Sequence, residues 1–247
     1  MGTDMFQGSD ESDSEIGALL SALSNAATRE AAASAAWSIS DNICYVAVDV
    51  ASSAASAIRV CWRLAARIDF SWRHYAIQLI TCVANVNGVM EESFDHTSAG
   101  AASRDAKRSA RAAIMNGIDI ASDLLYDPDI EIRESCIELL GHAYSGPLMV
   151  ISRFTGELNK ETNPILQADL AEAITNASMR TAGESRWGIA EPLIEDFLVH
   201  DNPAVRWRVS RAMLWAGAGR SEQSLKAIVD SAYQEVSAQK LFRDEFS

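Results

Sequence analysis

The sequence predicts an all-α protein whose helices form a repeat solenoid, an α-α superhelix of about five to six helical pairs. Apolar residues recur at helical spacing along most of the chain, and only 5 prolines interrupt its 247 residues. A pattern in 127–142 also returns twice downstream. The dipeptide that ends at Arg133 is matched by one ending at Gln167 and by one ending at Arg206, at intervals of 34 and 39 residues. Such periods are typical of helical solenoids.

The composition fits closely packed helices and a partner of opposite charge. Hydrophobic residues make up 48% of the chain and aromatic residues only 7%, so alanine supplies much of the apolar surface. The formal net charge of −13 would repel a phosphate backbone, whereas nucleic-acid binders normally carry a basic face. We therefore expect no nucleic-acid binding and favour a basic partner, although an acidic total is also common in cytosolic proteins.

The cysteines and the N-terminal residues favour a cytoplasmic protein. Four scattered cysteines lie among apolar residues without Cys-x-x-Cys spacing, which predicts buried thiols rather than disulfides or a metal site. The first fifteen residues carry five acidic and no basic side chains, unlike a secretory signal. The apolar run 43–50 is too short to cross a bilayer. We expect no cofactor and no membrane contact.

The N-terminal part is predicted to contain an acidic tail and a degenerate first repeat. Residues 1–14 have too little apolar surface to order themselves, so we expect a disordered tail followed by one solenoid domain over 15–247. Apolar residues from Ile16 to Leu23 have helical spacing, and the alanine-rich segment 29–40 is the predicted partner helix.

The next segments form a second pair and then a loop. The run 43–50 is rich in β-branched residues but lacks a second strand to pair with, so we predict a buried helix there. Helices over 55–68 and 72–86 form the pair. Residues 88–103, which are acidic and then small, are predicted to be a long disordered loop.

A basic stripe follows this loop, on a helix predicted to run to residue 126. Its four cationic residues lie at spacings that place them on one helix face: Arg104, Lys107, Arg108 and Arg111. They are candidates for binding a phosphate or an acidic peptide. The alternative, which we favour, is a solvated outer face neutralised by acidic residues of the preceding loop.

The remaining elements complete the stack. The helix that carries Arg133 is followed by two further pairs, predicted over 148–158 with 164–179 and over 191–199 with 205–215. Ser221 is a predicted N-cap, and a single helix over about 221–236 closes the stack as its atypical last element.

The repeated pattern resembles the HEAT repeat, so the solenoid is expected to be HEAT-like. A helix ends in Leu-Leu or Phe-Leu, a turn with Asp and Pro follows at Asp127 and Asp201, and Ile-Arg or Val-Arg opens a second apolar helix. The likeness spans roughly 14–236 and is firmest over 111–216. It implies that the turn Asp and the helix Arg form a structural ladder between units, which here involves Asp127, Arg133, Asp201 and Arg206.

The resemblance also implies that second helices line a concave groove. The positions expected to face it are His74, Tyr75, Gln78, Glu134, Glu138, Asp169, Glu172, Trp207, Arg208 and Arg211. The middle of this set is acidic, which suits a basic protein surface, and an exposed Trp is a frequent interface anchor. The alternative is that these are ordinary surface charges and that Trp207 packs against its neighbour.

Three functions fit these residues, and the first is favoured. It is a non-enzymatic interaction module or scaffold that binds a basic protein through its second helices. An acidic inhibitor of the immunity-protein type, which neutralises a toxin enzyme, is a second possibility. A DNA glycosylase or a lyase would be the enzymatic alternative, since some HEAT-like proteins have these activities. No catalytic triad, phosphate loop or zinc helix motif is present, so we expect no enzymatic activity.

Overall fold

The computed structural model describes residues 8–45, 49–86, 89–90, 101–143, 147–180, 192–216 and 221–239. These residues are helical almost throughout, which confirms the all-α fold class. The chain divides by its contacts into two compact units, Met1–Ala143 and Tyr144–Ser247. Within the described parts, no helix is long and apolar enough to span a membrane.

The first unit consists of helical pairs in two layers. Its elements are α1 (Gly8–Ser24), α2 (Arg29–Ile43), β1 (Cys44–Tyr45), β2 (Asp49–Val50), α3 (Ala54–Ala65), α4 (Arg73–Ala84), α5 (Ala101–Met115), α6 (Ile118–Leu124) and α7 (Ile130–Ala143). In one layer α2 packs on α4 and α4 packs on α7, while α1, α3 and α5 contact each other in the same order in the other layer. The second helix of each pair therefore lies beside the second helix of the next.

Helix α2 shows how the sequence specifies these elements. The Thr28 hydroxyl oxygen accepts a hydrogen bond from the Ala31 amide at 3.2 Å and caps the helix. Its buried residues follow the helical period and are Ala32, Ala35, Ala36, Ile39 and Ile43. Because most of these residues are alanine, the helix packs closely on its neighbours.

Two expected boundaries in this unit are corrected. Helix α1 begins at Gly8 rather than near residue 15, since no Pro or Gly between Ser9 and Ser14 interrupts it, and residues 1–7 lie outside the described part. Helix α5 begins at Ala101, so the last three residues of the expected loop 88–103 are helical. Residues 91–100 of that loop also lie outside the described part.

In the described part of the run 43–50, only Ile43 is helical. Helix α2 ends at Ile43, and Cys44 pairs with Val50 while Tyr45 pairs with Asp49 in a two-residue antiparallel ladder. The prediction of a buried helix was wrong because residues near the two ends of this short run pair with each other.

The expected single helix over 104–126 is divided into α5 and α6. The break lies at Gly117, above the buried ring of Trp62. A Cβ added to Gly117 would lie 2.4 Å from ring atoms of Trp62, and the Trp62 indole nitrogen donates a hydrogen bond to the Ala113 carbonyl oxygen at 3.1 Å. The close approach of this large side chain explains both the glycine and the interruption.

The second unit contains α8 (Pro147–Leu158), α9 (Pro164–Arg180), α10 (192–198), α11 (Pro203–Ala216) and α12 (Glu222–Ala238). Helix α9 packs on α8 and on α11, and α11 packs on α12. The Ser221 hydroxyl oxygen accepts a hydrogen bond from the Ser224 amide at 3.2 Å, which confirms the predicted cap of α12. A single domain over 15–247 stays a prediction.

Candidate functional site

The outer surface of the second-helix layer in the first unit is the best candidate for a functional site. Six residues define it, two from each helix four positions apart, and we name it the α2/α4/α7 face: Trp37, Asp41, Gln78, Cys82, Glu134 and Glu138. All are exposed except Glu134, which is half-buried. Residues four apart on a helix share one side, so each helix contributes one pair.

The contacts of Cys82 of α4 show which residues of α2 and α7 lie at the same height along the three helices. Although part of this residue is exposed, the atoms packed around its thiol raise the thiol pKa by desolvation. A hydrogen bond with Ser40 of α2 opposes that rise in pKa, and the Glu138 carboxylate of α7 adds to it. The Cys82 side chain is therefore close to both neighbouring helices. One helical turn earlier, by the same register, Trp37, Gln78 and Glu134 form a second row.

The first unit carries most of the negative charge of the chain. Residues 1–143 contain 20 acidic and 10 basic side chains, a formal charge of −10, whereas 144–247 contain 14 and 11, a charge of −3. The α2/α4/α7 face itself has three carboxylates and no basic residue. The excess of negative charge thus belongs mainly to the unit that carries this face.

One predicted groove residue of the first unit is buried. His74 is 3% exposed, and its Nδ1 lies 3.7 Å from Glu131, whose other oxygen pairs with Arg29 at 2.5 Å. Burial lowers the pKa of His74, and the Glu131 carboxylate opposes this shift. Tyr75 is half-buried with its ring centroid 4.1 Å from that of His74. His74 was wrongly placed on the surface because the packing of α7 over this part of α4 is not visible in the helical period.

The acidic centre predicted for the second unit is an internal ion-pair cluster. Arg208 of α11 lies 2.8 Å from Asp169 and 2.8 Å from Glu172, both on α9. Asp169 is only 8% exposed, so its prediction as a groove-facing residue was wrong. The cation that neutralises both carboxylates comes from the neighbouring helix, and a one-dimensional register does not reveal that contact.

The two remaining predicted residues of this unit also contact each other. The Arg211 guanidinium carbon lies 4.6 Å from the centroid of the Trp207 ring, in cation–π geometry. Trp207 is half-buried, and its ring centroid lies 6.5 Å from that of Tyr233 on α12. Trp207 therefore packs against its neighbours, which was the alternative considered from the sequence.

The ladder residues contact successive elements, but with other partners than expected. Asp127 pairs with Arg73 of α4 at 2.9 Å. Arg206 contacts Asp201 through the backbone carbonyl oxygen at 3.1 Å, and its carboxylate partner is Glu235 of α12 at 2.7 Å. Arg206 therefore joins its own inter-helix turn to the next helix, with Glu235 as its carboxylate partner.

A neutral contact occupies the equivalent position on α9. The Asn202 amide nitrogen donates hydrogen bonds to the Gln167 side-chain oxygen at 3.1 Å and to the Pro164 carbonyl oxygen at 2.8 Å. Gln167 occupies the place of Arg in the repeat, so its amide replaces an ion pair by a hydrogen bond.

The basic stripe is not uniformly exposed. Lys107 is 5% exposed, Arg104 and Arg111 are half-buried, and only Arg108 is exposed, with an ion pair to Asp105 at 3.3 Å. The prediction of a fully solvated face was wrong at Lys107 because α5 packs on α3 and α4. Among the described residues, no group of three or more His, Cys, Asp or Glu side chains is placed to hold a metal ion.

Trp37, Asp41 and Cys82 are absent from the predicted groove, although the sequence contained a signal for the first. The buried stripe of α2 includes Ala32, Ala35 and Ile39, and the helical period places Trp37 on the opposite side. Its exposed fraction is 72%. A large aromatic residue opposite the core face of an amphipathic helix is thus the signal in the sequence that identifies Trp37.

No family model, curated protein or solved structure matches the chain at a significant level. The resemblance to the HEAT repeat therefore stays a prediction that rests on the residues of the repeat pattern.

Proposed function

We propose that this protein is a non-enzymatic interaction module, built from HEAT-like helical pairs, that binds a basic protein through the α2/α4/α7 face. The observation that carries this proposal is the exposed Trp37 on a helix layer whose other residues on this face are carboxylates or neutral. Large exposed aromatic residues surrounded by polar groups are typical anchors of protein interfaces. The face also agrees with the groove that the HEAT resemblance implies for second helices.

The packing in each unit supports the HEAT-like part of the proposal. The layer of α2, α4 and α7, and the contact of α9 with α11, place successive second helices side by side. Contacts from the start of one second helix to the following turn occur at Arg73 with Asp127 and at Gln167 with Asn202. The first of these contacts includes Asp127, one of the residues for which the resemblance implies a ladder.

Charge complementarity indicates that the partner has a basic surface. The three carboxylates of the face and the formal charge of −10 on residues 1–143 attract a basic surface at long range and repel an acidic one. We propose a cytoplasmic protein with a basic patch as the partner, in keeping with the acidic sequence.

Charge reversal on the face tests this function. The immobilised full chain is used to capture partners from the host, and the affinity of each purified partner is then measured by calorimetry. Glu138→Lys is expected to weaken binding at least about tenfold through like-charge repulsion. Asp119→Lys, an exposed reversal on α6 in the same unit, is the matched control and is expected to keep the affinity. Equal affinities of both variants, with unchanged melting temperatures, would overturn the proposal.

A further inference from the structure

Trp37 lies on α2 in surroundings that leave its ring open to solvent. Its neighbours one turn away are small: Ala33 and Ser34 precede it and Ser40 follows. No long side chain of α2 covers the indole at these spacings, which accounts for its 72% exposure. The remaining neighbour four residues on is Asp41, which is exposed.

The second unit contains the same aromatic residue with a different neighbour. Trp207 has Arg211 four residues later, and the guanidinium lies over the ring at 4.6 Å from its centroid. At Trp37 the same spacing holds the Asp41 carboxylate instead of a guanidinium. The Trp207 ring is thus covered by an arginine of the chain itself, whereas the Trp37 ring lies beside the acidic Asp41.

We propose that Trp37 and Asp41 form a seat for one arginine side chain of the partner. A guanidinium stacks on the indole as Arg211 does on Trp207, and its edge donates two hydrogen bonds to the Asp41 carboxylate. Arginine fits better than lysine because its planar group satisfies the ring and the carboxylate together, whereas an ammonium is a compact, strongly hydrated charge. The seat rests on the proposed function and specifies the group that the partner presents.

The rest of the α2/α4/α7 face sets where a second basic group of the partner binds. Helix α4 packs between α2 and α7, so the carboxylates Glu134 and Glu138 of α7 lie across α4 from Asp41. Gln78 and Cys82 of α4 lie between them and carry no acidic group that would compete for the guanidinium. The partner is therefore expected to present its cations in two separate places rather than as one cluster.

The seat is tested with short peptides on the uniformly ¹⁵N-labelled full chain. The probe is acetyl-Gly-Arg-Gly-amide, compared with the same peptide carrying lysine and with one carrying citrulline, the neutral isostere of arginine. The chain has 6 tryptophans, and the Trp37 indole signal is assigned by its loss in Trp37→Phe. We expect this signal to shift most with arginine, less with lysine and not with citrulline.

Two controls decide whether the shift reports the seat. Asp41→Asn is expected to weaken the arginine peptide about fivefold, the effect of losing one exposed charge contact. The signal of Trp215, which is 96% exposed but has Arg211 rather than an acid four residues away, is expected to stay in place. Equal shifts of Trp37 and Trp215, or an equal response to citrulline, would overturn the seat.

Binding of the captured partner separates this inference from the proposed function. If Glu138→Lys abolishes binding while Trp37→Ala and Asp41→Asn leave it intact, the face binds the partner but the arginine seat is wrong. If all three variants bind as the natural chain does, the proposed function itself is wrong. Loss of binding in all three, with Asp119→Lys unaffected, supports both.

Discussion

Arg73 and Asp127 form a salt bridge of 2.9 Å whose two side chains are only 13% and 9% exposed. Arg73 is the first residue of α4, and Asp127 lies in the turn between α6 and α7, so the pair joins one helical pair to the next. Close to it lies the buried thiol of Cys136, whose pKa is raised by burial and by Asp127 and lowered by Arg73. A charge held in such surroundings depends on its partner.

Removal of Arg73 is therefore expected to destabilise the first unit strongly. Arg73→Ala leaves the Asp127 carboxylate largely buried without its cation, at a cost of about 3 kcal/mol. Arg67→Ala is the matched control, since it breaks an ion pair with Asp69 whose side chains are 48% and 73% exposed, and it is expected to have little effect on stability. Urea unfolding measures both. Similar losses in the two variants would contradict a special role of the buried pair.

The cluster around Arg208 gives a corresponding prediction in the second unit. Arg208→Ala leaves the two carboxylates of α9 without their cation, and one of them, Asp169, is nearly buried. We expect this variant to lose about 3 kcal/mol of folding stability. Adding Asp169→Asn should recover part of that loss, because the amide carries no charge. Lys226→Ala, which breaks the exposed pair with Glu222, is the control and should have little effect on the urea midpoint. No recovery in the double variant would rule out unpaired charge as the cause.

The repeat register predicted the helices and many of their core residues, because burial along one helix follows the 3.6-residue period. The anchor positions Ile132, Leu166 and Val205 are all fully or almost fully buried. Buried thiols were predicted correctly at Cys61 and Cys136, where burial raises the pKa. The local N-cap at Ser221 was predictable for a related reason, since it depends on adjacent residues only.

The surface of the candidate site was less predictable, because it depends on which helices lie beside each other. Asp169 has the spacing of a solvent-facing residue on α9, and only the packing of α11 shows that Arg208 covers it. The break at Gly117 depends on Trp62, 55 positions earlier in the chain. Contacts between residues distant in sequence leave no mark on the periodicity of a single helix.

The contact between Gly117 and Trp62 leads to a prediction about packing. Gly117→Ala places a methyl group against the buried indole and is expected to cost about 2 kcal/mol through overpacking. The same substitution in a Trp62→Leu background should cost less, because the smaller side chain leaves room for the methyl group. Gly156→Ala is the control: it lies inside α8 with no atom within 4 Å of its added Cβ, so it should stabilise the protein by about 0.5–1 kcal/mol. Additive losses in the double variant would disprove the steric explanation.

His74 predicts a loss of stability on acidification. Neither of its ring nitrogens has a hydrogen-bond partner within the described residues, and burial lowers its pKa from the ordinary value of 6.5 against the pull of Glu131 and Asp129. Below pH 6.5 the unfolded chain therefore binds a proton at His74 that the folded chain binds only at lower pH. The stability that neutral His74 contributes is complete above pH 6.5 and is lost as the pH falls towards its folded pKa, by at most about 1.4 kcal/mol per pH unit.

The variant His74→Leu tests this dependence, because leucine cannot take up a proton. Urea midpoints of the natural chain and the variant are compared from about pH 7.5 to about pH 5, so that the carboxylates common to both contribute equally. The natural chain is expected to lose more stability over this range than His74→Leu. Parallel curves would show that His74 binds protons equally in both states, and a steeper loss in the variant would mean that Glu131 holds the imidazolium in the folded chain and raises its pKa.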